Sequence, residues 1–338
     1  MNNELHQQLT IIITTSPIKS HPSTQLLDIT INSFKLIDKL DDCKKIIMCD
    51  GYKIGLTCDD NKFKSGIIDE NHAKKYLTFL EIIKRKSSSN EYNNSLIHIQ
   101  SHHCGFAENI KFALYNYVKT PYVMIVQHDY MFVRFVDITS IINCMNYNDD
   151  VKYVGILSHS HKNYVNRVLS KPDYHVFYED LEIQINAYST INNETYKFGY
   201  DENNLLNENN KLCFQNDNTK DKNYVTQSIL NYTTHKYNLP LMPIILWYDK
   251  IHICKTLFYK TFVFETIHID YGSNNINTGK HKQIKRVKSF IEDTLGNVEM
   301  NNIKRHGIMA FNNYGTFVLN DANMPAIIHK NGRGFISK

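Results

Sequence analysis

The chain has 338 residues, 42% of them hydrophobic and 21% charged, enough to bury a substantial core in one large α/β domain or two small ones. Its net charge of +4 is mild and evenly spread, which argues against nucleic acid as a partner, because that would call for a basic stripe. The seven cysteines form no CxxC pair and no zinc spacing, and no apolar run reaches 18 residues, so reduced thiols, a cytoplasmic location and no transmembrane segment are expected. The bias towards Asn, Ile, Lys and Tyr reads as an AT-rich genome, such as that of a large DNA virus or a protist.

In chain order, Leu9–Thr14 reads as a buried strand that ends in the turn-forming stretch Ser16-Pro17-Ile18-Lys19-Ser20-His21-Pro22. Ser23 or Thr24 can cap a following helix with the apolar face Leu27, Ile31 and Phe34. Lys45–Cys49 is a second strand, stopped by Asp50-Gly51. A helix from about Glu70 to Lys84 carries Ala73, Tyr76, Leu77, Leu80 and Ile83 at helical spacing. Leu96–Ile99 predicts a third strand, and Ile110, Ala113, Leu114 and Tyr117 the buried face of a helix closed by Thr120-Pro121. Tyr122–Val126 is a fourth strand; a helix near Ile138–Met145 leads to a fifth over Val151–Leu157. Repeated βα units with near-continuous apolar strands predict an α/β fold with a Rossmann-like, mostly parallel central sheet flanked by helices. Such sheets bind ligands beyond the carboxyl ends of their strands.

From about Asn186 to Asn223 the chain is Asn-rich and weakly periodic, which predicts long loops or an insertion. Structure is expected again at Leu239–Tyr248 and Thr256–Phe264. No linker invites a cut. The reading is one domain over 1–338, in two halves, 1–135 and 136–338.

The strongest local signal is Tyr122–Arg134, where a buried strand runs straight into Gln127-His128-Asp129. An acid there can hold a divalent cation against a leaving diphosphate; equally, Asp129 can simply cap a turn. Upstream, Cys104-Gly105-Phe106-Ala107-Glu108-Asn109 opens the preceding helix with an Asn in its first turn.

The stretch from Gly105 to Asp129 resembles the segment leading into the Asp-X-Asp motif of GT-A glycosyltransferases, in particular the large inverting family that is similar to cellulose and chitin synthases. The resemblance implies a GT-A (nucleotide-diphospho-sugar transferase) fold, a UDP- or GDP-sugar donor and a divalent cation, Mn²⁺ or Mg²⁺. It implies that Asp129 takes the metal and that Gln127, standing where the family has an acid, meets the ribose beside His128. Asn109 would lie beside the donor. Thr14-Thr15-Ser16-Pro17 and Asp50 end the first two strands where such proteins contact the nucleotide, and His103 would edge the pocket. Phe290-Ile291-Glu292-Asp293 resembles the acidic pair of the acceptor side, with Asp293 as general base and Glu292 its neighbour. His329 would be a further metal ligand. For each of these the bland alternative is local: a strand-ending turn, acids complementing a helix dipole, or a satisfied histidine.

The function so implied is transfer of a sugar to a glycan or glycoprotein acceptor, with inversion. Two rivals stand beside it: an inactive GT-A-like binding protein, motivated by Gln127, and a sugar-phosphate nucleotidyltransferase. The latter usually has a Gly-rich loop after the first strand, where this chain has Ser-Pro-Ile-Lys-Ser-His-Pro. The sequence holds no P-loop, GxGxxG or HExxH.

Overall fold

The computed structural model describes residues 4–56, 63, 65–162, 232–234, 239–270, 283–285, 287, 289–306, 308–321 and 324–332. The Asn-rich stretch over 186–223 lies outside them, as do Lys280, His281, Lys282, Arg286 and Lys288.

The first half follows the predicted alternation. Strand β1 (Leu9–Thr15) is buried along its whole length. Next come helix α1 (Gln25–Ser33), β2 (Lys44–Cys49), α2 (Glu70–Ser88), β3 (Ser95–Ile99), α3 (Phe106–Asn116) and β4 (Tyr122–Gln127). A short strand β5 (Tyr130–Phe132) precedes α4 (Ile138–Tyr147) and β6 (Tyr153–Ile156). The second half contributes β7 (Tyr232–Thr234), β8 (Leu239–Pro243), β9 (His252–Lys255), α5 (Asn297–His306), α6 (Ile308–Tyr314), β10 (Thr316–Leu319) and β11 (Ile327–His329).

Nine strands form one sheet in the order β3-β2-β1-β4-β9-β6-β10-β8-β7. The pairings of β1 with β2 and β4, of β2 with β3, and of β6 with β10 are parallel. Only β9 and β8 run against the rest. The architecture is thus the α/β, Rossmann-like one expected, with a purely parallel block, β3-β2-β1-β4, at one side. The reversed β9, wedged between β4 and β6, was not foreseen: a four-residue buried run carries no period by which strand and helix differ.

The helices bury the stripes their spacing predicts, with two corrections: Tyr117 lies just beyond α3 and is half-buried, and one position of α2 changes. In α2, Ala73, Tyr76, Leu80 and Ile83 are buried, but Leu77 is 49% exposed and Phe79 takes its place. Leu77 follows Tyr76 directly, so it is turned about 100° off the stripe. The start of α1 also differs in detail: the Ser23 hydroxyl accepts from Gln25 N–H at 3.3 Å, while Thr24 donates its hydroxyl to Asp28 instead. Asp69 and Asp137 cap α2 and α4, accepting from the backbone N–H of His72 and Ser140. The small ribbon of β5 and β11 folds the far end of the chain back against the residues that follow β4.

Candidate functional site

The carboxyl ends of β1, β2 and β4 lie side by side, because these strands are parallel neighbours in register. The chain leaving each of them lines a single cleft. From β1 come Thr14, Thr15, Ser16 and Pro17, with Ile18 and Lys19 beyond; from β2 comes Asp50; from β4 come Gln127, His128 and Asp129. His103 and Asn109 approach from the turn and first helical residues before β4. Every residue expected to contact the nucleotide sugar lines this one cleft; His329, the expected further metal ligand, does not line it and meets it only through Asp129. Ser289 and Phe290 bring the distant acceptor-side segment to the same wall, and Phe106 stacks on Phe290 with centroids 5.4 Å apart.

Asp50 organises the floor. Its Oδ1 accepts from Gly51 N–H at 3.0 Å and Cys104 N–H at 2.8 Å, and its Oδ2 from Gly105 N–H at 3.1 Å; His103 Nδ1 lies 2.8 Å from Oδ2. Burial works to raise this carboxyl, but the His103 contact and the Cys104 amide outweigh it, and it is held below the usual carboxylate range. A carboxylate so engaged shapes the loop before α3. That loop needs glycine at position 105, where φ is +85°; across from it, before α2, Gly66 has φ +68° and a side chain there would overlap the His103 ring.

The Gln127–Asp129 corner is fixed from three directions. His128 N–H donates to Thr14 C=O at 3.0 Å, and the Thr30 hydroxyl donates to His128 C=O at 2.7 Å. Gln127 Nε2 donates to Asp249 C=O at 2.8 Å, so its carbonyl oxygen and second N–H are what remain for a ligand. From the end of the chain, His329 Nε2 and Gly332 N–H each reach Asp129 Oδ2 at 3.0 Å, and His329 stacks on Tyr130 at 4.6 Å. Burial pushes the Asp129 carboxyl up, yet the His329 hydrogen bond, the charges of His128 and His329 and the Gly332 amide together bring it down to about 2.

Asp129 Oδ1 and His128 Nε2 are buried and have no hydrogen-bond partner among the described residues. One carboxylate oxygen and one imidazole nitrogen, with His329 against the other oxygen, suit a divalent cation of the Mn²⁺ kind that completes its shell with ligand oxygens and water. Among the described residues no three His, Cys, Asp or Glu side chains form a preassembled cage, so such an ion would depend on a bound diphosphate for further ligands.

The acceptor-side acids are arranged differently from one another. Asp293 is exposed, at the start of the turn Glu292–Gly296, and does not line the cleft. Glu292 is half-buried and clasped to Asp249, a buried acid that sequence reasoning missed. Burial drives the Asp249 carboxyl well above the usual range, and the neighbouring charges of Glu292 and Asp293 add to this. The run Trp247-Tyr248-Asp249-Lys250 between two apolar strands was its only signal.

No family model and no curated protein matches this sequence. Among solved structures, it is similar to the mannosyltransferase PcManGT from Pyrobaculum calidifontis in complex with GDP-Man and Mn²⁺, at 12% identity and a TM-score of 0.30 over 45% of this chain and 36% of that one. It is likewise similar to S. aureus TarS 1-349 in complex with UDP-GlcNAc, at 12% identity and TM-score 0.27 over 44% and 34%. A putative glucose-1-phosphate thymidylyltransferase from Bacillus anthracis stands at 14% identity and TM-score 0.28 over 44% and 54%. The chain thus spans about a third of the length of the first two. Likenesses this low in TM-score carry no functional weight. Among the described residues no helix is long and apolar enough to cross a membrane.

Proposed function

We propose that this chain is a GT-A-type glycosyltransferase that takes a UDP- or GDP-sugar as donor and a glycan or glycoprotein as acceptor. The observation that carries this reading is the convergence of Thr15, Ser16, Pro17, Asp50, His103, Asn109, Gln127, His128 and Asp129 on one cleft at the carboxyl ends of parallel strands. Lys19 on the rim adds a cation suited to a diphosphate.

In this reading Asp129, His128 and His329 would hold a divalent cation, Mn²⁺ or Mg²⁺. When bound, that ion would neutralise charge growing on the departing nucleoside diphosphate. Asp129 is suited to the role because it stays ionised down to about pH 2. Phe106 and Phe290 offer an apolar wall against which a sugar ring can lie. Asp293, exposed and close to the cleft-lining Phe290, is the base that takes the proton from the attacking acceptor hydroxyl, with inversion at the anomeric carbon; Glu292 stays with Asp249 and fixes the turn. The whole chain acts as a single domain, with donor residues in 1–135 and acceptor residues in 136–338. It works in the cytoplasm, without nucleic acid.

A second reading, a GT-A-like protein that binds a nucleotide sugar without transferring it, is favoured by one feature: both Gln127 Nε2 and Asp129 Oδ2 already have partners within the chain. Thermal unfolding with UDP-, GDP- and CMP-sugars, with and without Mn²⁺, tests the donor site. A ligand at 100 times its dissociation constant adds about 2.7 kcal/mol of apparent stability. No stabilisation by any of them would refute both readings. Stabilisation without release of nucleoside diphosphate would select the second.

A further inference from the structure

A second, open cavity lies beside the Asp129 corner of the cleft and is lined in part by Tyr130 and His329, which stack on each other. Three separate pieces of chain build it at the same sheet edge. Ser158, His159 and Ser160 leave the carboxyl end of β6; Lys250 precedes β9, whose reversed direction brings its start to this edge; His329 and Lys330 end β11 and its ribbon. The two cavities therefore succeed one another along the strand ends, the first over β2, β1 and β4 and the second over β9 and β6.

The linings differ in chemistry. The cleft contains Asp50 and Asp129, whereas the described lining of the second cavity has two lysines, two histidines and two serines and no acid. Lys250 is oriented, since its ammonium contacts the Ser160 hydroxyl and lies 4.5 Å above the Tyr248 ring. The wall of the second cavity is close to the Asp129 corner: His329 stacks on Tyr130, and its Nε2 lies 3.0 Å from Asp129 Oδ2. A group held in the second cavity thus lies next to the residues assigned to chemistry.

We propose that this second cavity binds an anionic group, a phosphate or carboxylate carried by the acceptor, between Lys250 and Lys330. The assignment to an acceptor rests on the transferase reading; the anion site itself does not. Ammonium groups and serine hydroxyls supply only donors to an anion and give a neutral sugar no comparable advantage.

Calorimetric titration with methyl phosphate, acetate and glycerol, at low and at 0.5 M salt, tests it. The anions should bind the wild-type chain and glycerol should not. Affinity should fall about tenfold or more in the Lys250→Ala/Lys330→Ala double variant and at high salt, and persist in Lys19→Ala. Lys330→Gln, at a half-buried position, should give a partial loss and does not depend on how the double variant folds. The stronger of the two anions names the acceptor class. Undiminished affinity in the double variant, displacement by saturating nucleoside diphosphate, or no binding at all would overturn the proposal. If methyl phosphate binds as expected while no nucleotide sugar does, the transferase reading falls and the anion site stands.

Discussion

Asp249 and Glu292 hold each other's backbone: Glu292 N–H donates to Asp249 Oδ2 at 3.0 Å, and Asp249 N–H donates to Glu292 Oε2 at 3.2 Å. The same Asp249 accepts Gln127 Nε2 through its carbonyl, so one buried residue ties the end of β4 to the acidic turn of the acceptor side. The Asp249 carboxyl is raised, so the folded chain keeps a proton that the unfolded chain gives up, and stability falls as pH climbs above the ordinary carboxylate range. Asp249→Asn should retain the clasp and flatten that fall. Asp249→Ala should cost about 1–3 kcal/mol by leaving Glu292 N–H unpaired. Urea unfolding between pH 4 and 9 measures both; an identical pH profile in Asp249→Asn would contradict the assignment.

Glu299 makes a cleaner test of the same linkage, away from the cleft. It is fully buried, and burial pushes its carboxyl up to about 8 against the Thr316 and Trp247 hydrogen bonds. The Thr316 hydroxyl lies within hydrogen-bonding reach of both Ile244 C=O, at 2.7 Å, and Glu299 Oε1. Stability should therefore decline from about pH 4.5 to about 8 and level off above it. Glu299→Gln should match wild type at pH 4.5 and exceed it at pH 9, by an amount on the order of 5 kcal/mol. Equal stability at both pH values would refute this.

Asp129 has the opposite sign. Its carboxyl is held down at about 2, so its contribution to stability is present above the ordinary carboxylate value and is lost as pH falls towards 2. Asp129→Asn should abolish the Mn²⁺-dependent part of donor binding and leave metal-free binding little changed. Thermal shifts with and without Mn²⁺ read this, and an unaltered manganese increment would displace the metal from Asp129.

Gly332 packs on the same corner. A methyl group there would sit 3.1 Å from Asp129 Oδ2 and 3.2 Å from His128 Nε2. Gly332→Ala should therefore weaken Mn²⁺-dependent donor binding while global stability stays within about 1 kcal/mol of wild type. Full retention of that binding would show that this end of the chain takes no part in the site.

Asp293→Asn should lower turnover by about 10²–10⁴-fold with donor affinity preserved, because it removes the proton acceptor and nothing that touches the nucleotide. Glu292→Gln keeps the acceptor atom that clasps Asp249 N–H and should have a far smaller effect on turnover. Steady-state kinetics on the two variants decide between them; the reverse order would make Glu292 the base.

Much of the fold was legible because strands and helices announce themselves locally. Ile11–Ile13 and Val123–Val126 are unbroken apolar runs, and the stripes of α1, α2 and α3 repeat at helical spacing. Since parallel strands present their carboxyl ends on one edge, the donor-side residues could be found simply as those that follow the strands.

What only the tertiary structure decided is which distant pieces meet there. The sheet order brings β9, reversed, next to β4, and with it Asp249 to Gln127 and Lys250 to the second cavity. The pairing of β11 with β5 delivers His329 and Gly332 to Asp129 from 200 and 203 residues away. Hydrophobic period records which face of an element is buried; it holds no information on the neighbour against which that face is packed. Contacts that join loops across the sheet therefore become visible only once the strand order is known.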